Sequence, residues 1–161
     1  MPWWKGPTAV EALDEFKAAR SLVDQPLRFP IQDVYRFDHR RILAGRVESG
    51  RIKVGDRLTF APSNKTSAVK TIERWNAPAR DYAEAGESVG ITLTDQVFVQ
   101  RGAVAAPEHE PPYALTSFKA RMFWLGKQPF TPGRKYRLKL ATQEVECHIE
   151  KLERVIDAST L

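Results

Sequence analysis

The chain has one cysteine, three histidines and nine glycines among its 161 residues, and each scarcity excludes something. A lone Cys147 forms no internal disulfide, and His39, His109 and His148 are too scattered for any Cys/His metal spacing. Cys147 and His148 are adjacent, so in a strand they would face opposite sides. No apolar run approaches the roughly 20 residues of a membrane helix, and no segment has the layout of a secretory signal. The expectation is therefore a soluble, cytoplasmic protein with no membrane partner. The glycines include no phosphate loop, because Gly126-Lys127 is followed by Gln128 where Ser or Thr is required. The stretch Asn64-Lys65-Thr66-Ser67 resembles a guanine-reading Asn-Lys-x-Asp but lacks its terminal carboxylate, and it reads as a loop. Asp56, Glu87 and Asp95 fall at expected turns, which disfavours paired-carboxylate chemistry. No catalytic, cofactor-binding or metal-ligating residue is assigned.

What is present is positive charge, unevenly placed. Of the net +5, most of the excess lies in residues 36–57. There Arg36, Arg40, Arg41, Arg46, Arg51, Lys53 and Arg57 face only Asp38, Glu48 and Asp56. Such a patch suits an anionic partner, and Arg40, Arg41, Arg46, Arg51 and Lys53 are the candidate contacts. Its few interleaved aromatics favour a salt-sensitive, unspecific contact over base stacking, so nucleic acid is a disfavoured partner. Trp3, Trp4, Trp75 and Trp124 have the chemistry to stack bases, yet three of them sit at the edges of apolar runs and read as packing residues.

The pattern along the chain indicates an all-β protein with one short N-terminal helix. Thr8 and Glu11 match a capping box, and Val10, Leu13, Phe16 and Lys17 follow at helical spacing, predicting about three turns. From Leu27 the period becomes two, with Leu27, Phe29, Ile31, Tyr35 and Phe37 on one side. Five similar runs follow at residues 41–49, 56–62, 67–75, 88–94 and 102–106, each bounded by Gly, Pro, Asn or Asp. Six such strands predict a closed antiparallel barrel. Gly50, Gly55 and Gly86 are expected at its turns, and Pro132-Gly133 fits a type II turn further on. Pro107, Pro111 and Pro112 then interrupt any ladder and mark a boundary. Beyond them, residues 114–125, 134–141 and 144–156 alternate again, predicting three or four strands of a partial second barrel. The units expected are residues 1–25, 26–107 and 112–161.

Several strings are more specific. "MPWWKGPTAVEALD", "QPLRFPIQDVYR" and "FWLGKQPFTPGRKYRLKLATQEV" resemble the GTP-binding large subunit of sulfate adenylyltransferase, including its nodulation-protein form fused to an adenylylsulfate kinase. "AGRVESGRIKVGDRL" and "AEAGESVGITLTD" are similar to loops that this family shares with elongation factor Tu. The resemblance spans nearly the whole chain. It implies the last helix of a GTPase domain at residues 1–25, an elongation-factor-Tu-like domain 2 at 26–107 and part of domain 3 from 112. It also implies a parent nucleotidyltransferase of sulfate assimilation that uses GTP, Mg and ATP. The expected partners are the catalytic small subunit and the parent's own GTPase domain, with this chain as a non-catalytic scaffold. The different-class alternative is a translation-factor-like barrel that binds tRNA or RNA through the basic stretch 36–57. Ala141 stands where relatives in the sulfate family tend to have Gly.

A tight turn at Thr142-Gln143 would pair Leu140 with Val145, Leu138 with Cys147 and Tyr136 with Ile149, setting Lys139 opposite Glu146 and Lys135 opposite Glu150. Without a phosphate loop or a guanine-reading motif, the isolated chain is expected not to bind or hydrolyse GTP. Titration with a fluorescent GTP analogue, together with a phosphate-release assay, checks this, and saturable binding would refute the reading.

Overall fold

The structure is a computed structural model that describes residues 4–16 and 21–156. Trp3 and Lys17, which figure in the sequence argument, lie outside the described residues. The first element is α1 (Ala9–Asp14), six residues long and shorter than the three turns expected. Thr8 caps it: its hydroxyl accepts the Glu11 N–H, and the Glu11 carboxylate accepts the Thr8 backbone N–H at 2.7 Å. That second bond, more than the Thr8 hydroxyl, holds the Glu11 carboxyl below the usual carboxylate range. The cap's ionic contribution is present at neutral pH and is lost as pH falls through that lowered value. A single 3-10 turn at Leu22–Asp24 then leads into the β region.

Six strands close a barrel: β1 (Phe29–Phe37), β2 (Arg40–Arg46), β4 (Arg57–Ala61), β5 (Lys65–Glu73), β7 (Ser88–Leu93) and β8 (Val104–Pro107). Around the ring the order is β1, β2, β7, β5, β4, β8, and every neighbouring pair is antiparallel. These are the six runs seen in the sequence. Two short strands, β3 (Arg51–Lys53) and β6 (Tyr82–Glu84), pair as a separate ribbon whose Ile52 and Ala83 enter the same core. That core runs from Leu27 to Ala105, with Phe29, Ile31, Leu58 and Phe60 among its fully buried members. None of the described residues from 112 to 156 belongs to it.

The period-two reading of β1 breaks at a bulge. Ile31 faces Gly45 but Asp33 faces Ala44, so one extra residue on β1 reverses the alternation. Val34 consequently packs against the core, while Tyr35 is half exposed. The side chain of Phe37 is outside the described set. Gly45, opposite the bulge, must be glycine: a Cβ there would lie 2.2 Å from the Pro30 carbonyl oxygen. Pro107 also differs from its expected role, because it stays in the β8 ladder as the partner of Leu58 instead of interrupting it.

Past the prolines, the strands among the described residues are β9 (Lys135–Leu140) and β10 (Gln143–His148), which form a two-stranded sheet. Residues 114–125 alternate in sequence yet take no strand and pair with none of the described strands. The hairpin register departs from the expected one by two residues. Leu140 faces Gln143, Leu138 faces Val145 and Tyr136 faces Cys147. The physical reason is Ala141, which adopts a left-handed φ of 49° and moves the turn to Ala141-Thr142. A shift of two preserves which side chains share a face. Two charged pairs are therefore diagonal, Lys135 to Glu146 at 2.7 Å and Arg137 to Glu144 at 2.7 Å, while Lys139 lies directly opposite Glu144 at 3.5 Å. His148 is exposed opposite Lys135, and Cys147 is half buried on the other face.

If the barrel carries the stability, Phe60→Ala should cost about 3–5 kcal/mol and Leu140→Ala no more than about 1 kcal/mol, as read from urea unfolding midpoints. Equal losses would show that the hairpin and the barrel share a core.

Candidate interaction surface

Strand geometry dismantles the basic stretch. Arg40 and Arg46 begin and end β2, about 20 Å apart at the usual rise per residue, and Arg51 and Lys53 belong to the β3–β6 ribbon. Neighbouring acids also neutralise several of these cations. Arg40 lies 3.5 Å from Glu73 and 4.0 Å from Asp38; Arg51 pairs with Glu84; and Arg57 bonds Glu108 at 2.8 Å. These pairs are exposed and screened by solvent, so they contribute little to stability. Their main effect is to cancel the charge available to a partner. Arg46 and Lys53 have no ion pair among the described residues, but they stand apart from one another.

The turn carboxylates have local duties. The Asp56 carboxylate accepts the Lys53 N–H at 2.8 Å, and that of Glu87 accepts the Glu84 N–H at 2.7 Å while holding Arg80 at 3.0 Å. Gly50 has φ 74°, and a Cβ there would meet the Leu27 backbone at 2.5 Å. Gly55, Gly86 and Gly133 also have positive φ, as does Asn64 in the loop between β4 and β5. Among the described residues, no three His, Cys, Asp or Glu side chains are grouped to hold a metal.

The structure does assemble one surface, around the β1–β2 turn and the loop that follows β7. A groove of about 550 Å³ there is lined by Arg36, Asp38, Arg40, Arg41, Lys70 and Glu73 together with residues 92–98. Its floor is polar, with the Thr71 and Thr92 hydroxyls 2.6 Å apart and Thr71 donating to Glu73 at 2.8 Å. The loop is fixed from below. Ser67, only 1% exposed, donates to the Asp95 carboxylate at 2.9 Å and accepts the Asp95 N–H at 3.2 Å. Of the candidate contacts, Arg40 and Arg41 meet here; Arg46, Arg51 and Lys53 do not. Sequence reasoning missed Lys65, Arg101 and Phe98, which stand at the same corner. The one available signal was Val97-Phe98-Val99, an apolar triplet too short to carry a period.

Comparisons with known proteins fit this architecture. Residues 117–161 match the family model described as GTP-eEF1A C-terminal domain-like. A crystal structure of Sup35 complexed with GMPPNP is similar over 90% of this chain, at 25% identity and a TM-score of 0.62. One of Sup35 complexed with GDP is similar over 70%, at 29% identity and a TM-score of 0.54. The chain spans only 36% and 28% of those two chains. These likenesses support a GTPase family of translation-factor type, and the barrel has the fold of elongation factor Tu domain 2. Neither comparison names the sulfate enzyme. No helix among the described residues is long and apolar enough to cross a membrane.

Removing the Ser67 hydroxyl leaves the Asp95 carboxylate and amide short of a buried partner. Ser67→Ala should therefore cost about 1–3 kcal/mol in urea unfolding, and Thr94→Ala, at the exposed end of the same network, less than about 1 kcal/mol.

Proposed function

We propose that this chain is the non-catalytic β portion of a translation-factor-type GTPase, specifically of the GTP-binding subunit of sulfate adenylyltransferase. In this reading it works in the cytoplasm, holds the GTPase domain and docks the catalytic small subunit. The observation that carries it is α1. Val10, Leu13 and Phe16 are 67%, 61% and 76% exposed, and a six-residue helix is too short to persist by its own propensity. An apolar face on so short a helix is useful when a neighbouring domain covers it, and the strings of residues 1–14 and 123–145 supply the more specific assignment. GTP and Mg would be bound by the parent's GTPase domain, and the adenylylation of sulfate by ATP would take place on the catalytic small subunit.

A second reading, an RNA-binding barrel, is favoured by Arg36, Arg41, Lys65 and Lys70, which form no ion pair among the described residues and lie near one groove. Against it, Asp38, Glu73 and Asp95 sit in the same region and oppose a phosphate backbone.

Size-exclusion co-elution and calorimetry with the parent's catalytic small subunit test the proposal. Association in the micromolar range or tighter is expected, with no adenylyl sulfate made by this chain alone. A salt-resistant, sequence-selective RNA complex in place of that association would favour the second reading.

A further inference from the structure

Phe98 is a large apolar side chain that the fold holds out to solvent. It is 70% exposed, although Val99 beside it is buried and Val97 packs against the core. The pair of bonds between Ser67 and Asp95, with Thr94 donating to the same carboxylate at 3.1 Å, pins the loop that carries it. Cations gather around the ring. The Arg41 guanidinium is 4.9 Å from its centroid and the Lys65 ammonium 5.8 Å. Arg36, Arg41 and Arg101 line a groove of about 350 Å³ on one side of Phe98, with Asp33 its one carboxylate. The Asp33 carboxylate accepts the Val34 N–H at 2.7 Å, and Arg101 donates to the Gln32 carbonyl at 2.7 Å. Arg36, Arg41, Lys65 and Arg101 thus have no carboxylate ion pair among the described residues, whereas Arg40, Arg51, Arg57, Arg74 and Arg80 do.

We propose that Phe98, ringed by Arg36, Arg41, Lys65 and Arg101, is a docking hot spot for a protein face that presents carboxylates around an apolar side chain. This rests on the docking role proposed above and gives it a location and a chemistry. A preordered aromatic anchor surrounded by uncompensated charge has the composition of an energetic interface centre, and the charge selects an acidic partner. Single-stranded nucleic acid fits less well. It is bound by successive aromatics along a cationic track, but among the described residues Phe98 is the one phenyl ring lining either groove, and the cations give way to Asp38, Glu73 and Asp95 in the adjoining one.

The test uses the whole chain, with the parent's catalytic small subunit and single-stranded poly(U) as probes, by calorimetry at about 50 and about 300 mM salt. Phe98→Ala and the pair Arg41→Glu with Arg101→Glu should each weaken small-subunit binding at least about tenfold. Phe98→Trp should retain it, and Lys53→Glu, on the β3–β6 ribbon, should change it by less than about twofold. These side chains are on the surface, so thermal melts matching the unaltered chain should accompany every variant. Tight binding that none of the Phe98 or arginine variants alters would overturn the hot spot and leave the scaffold reading standing. Absence of small-subunit binding by the unaltered chain would overturn both. Poly(U) binding lost in Phe98→Ala, without small-subunit binding, would replace the acidic protein by a nucleic acid and overturn the proposal.

Discussion

Closure of the barrel depends on four residues. Strand β8 pairs with β1 through Phe29–Ala105 and Pro30–Val104, and with β4 from Leu58–Pro107 to Ala61–Val104, so Val104–Pro107 joins the two ends of the ring. A closed ring leaves no free edge and surrounds its core with hydrogen-bonded backbone. Ala105 is fully buried opposite both Phe29 and Phe60, and its small side chain fits a place where a larger one would compete with them. Everything argued about the surface follows from this rigidity. The loop carrying Phe98 is anchored to β5 through Ser67, and β2, which begins with Arg40 and Arg41, is anchored to β7 through Leu43 and Ile91.

Much of the fold was legible because the barrel strands are bounded by turn residues and β2 and β5 bury alternate side chains, although β4, β7 and β8 bury consecutive ones. What escaped has identifiable causes. The bulge at Gln32 adds a residue that no period reports. Strands β3 and β6 are three residues each, too short for alternation to register. The β9–β10 register failed on one backbone dihedral, since nothing in Ala141-Thr142-Gln143 announces that alanine will take the left-handed conformation. Residues 114–125 show the opposite failure: their alternation is real, but pairing is a property of two segments, and none of the described strands pairs with them.

The surface was less legible than the fold. A run of arginines close in sequence reads as one patch, but β2 carries its two ends to opposite rims, and acids from distant strands cancel Arg40, Arg51 and Arg57. The cations left over come from separate elements: Arg36 from β1, Arg41 from β2, Lys65 from β5 and Arg101 from the turn before β8. Of the candidate contacts that net charge picked out, Arg40 and Arg41 line the corner at Phe98 and Arg46, Arg51 and Lys53 do not. Pairing partners decide which charges remain available, and they are visible only once the strands are placed.

The pairing of Phe29 with Ala105 also sets how the barrel meets mechanical load. The chain enters and leaves the ring side by side, on antiparallel strands joined by two residue pairs and by the backbone bonds of Ile31 to Ala103 and Gly102. Tension between segments on either side would act at right angles to those strands and open the β1–β8 seam one pair at a time, instead of shearing a whole ladder at once. The barrel is thus a side loop on the polypeptide's line of force. Pulling on its neighbours would release it at the strand that completes it.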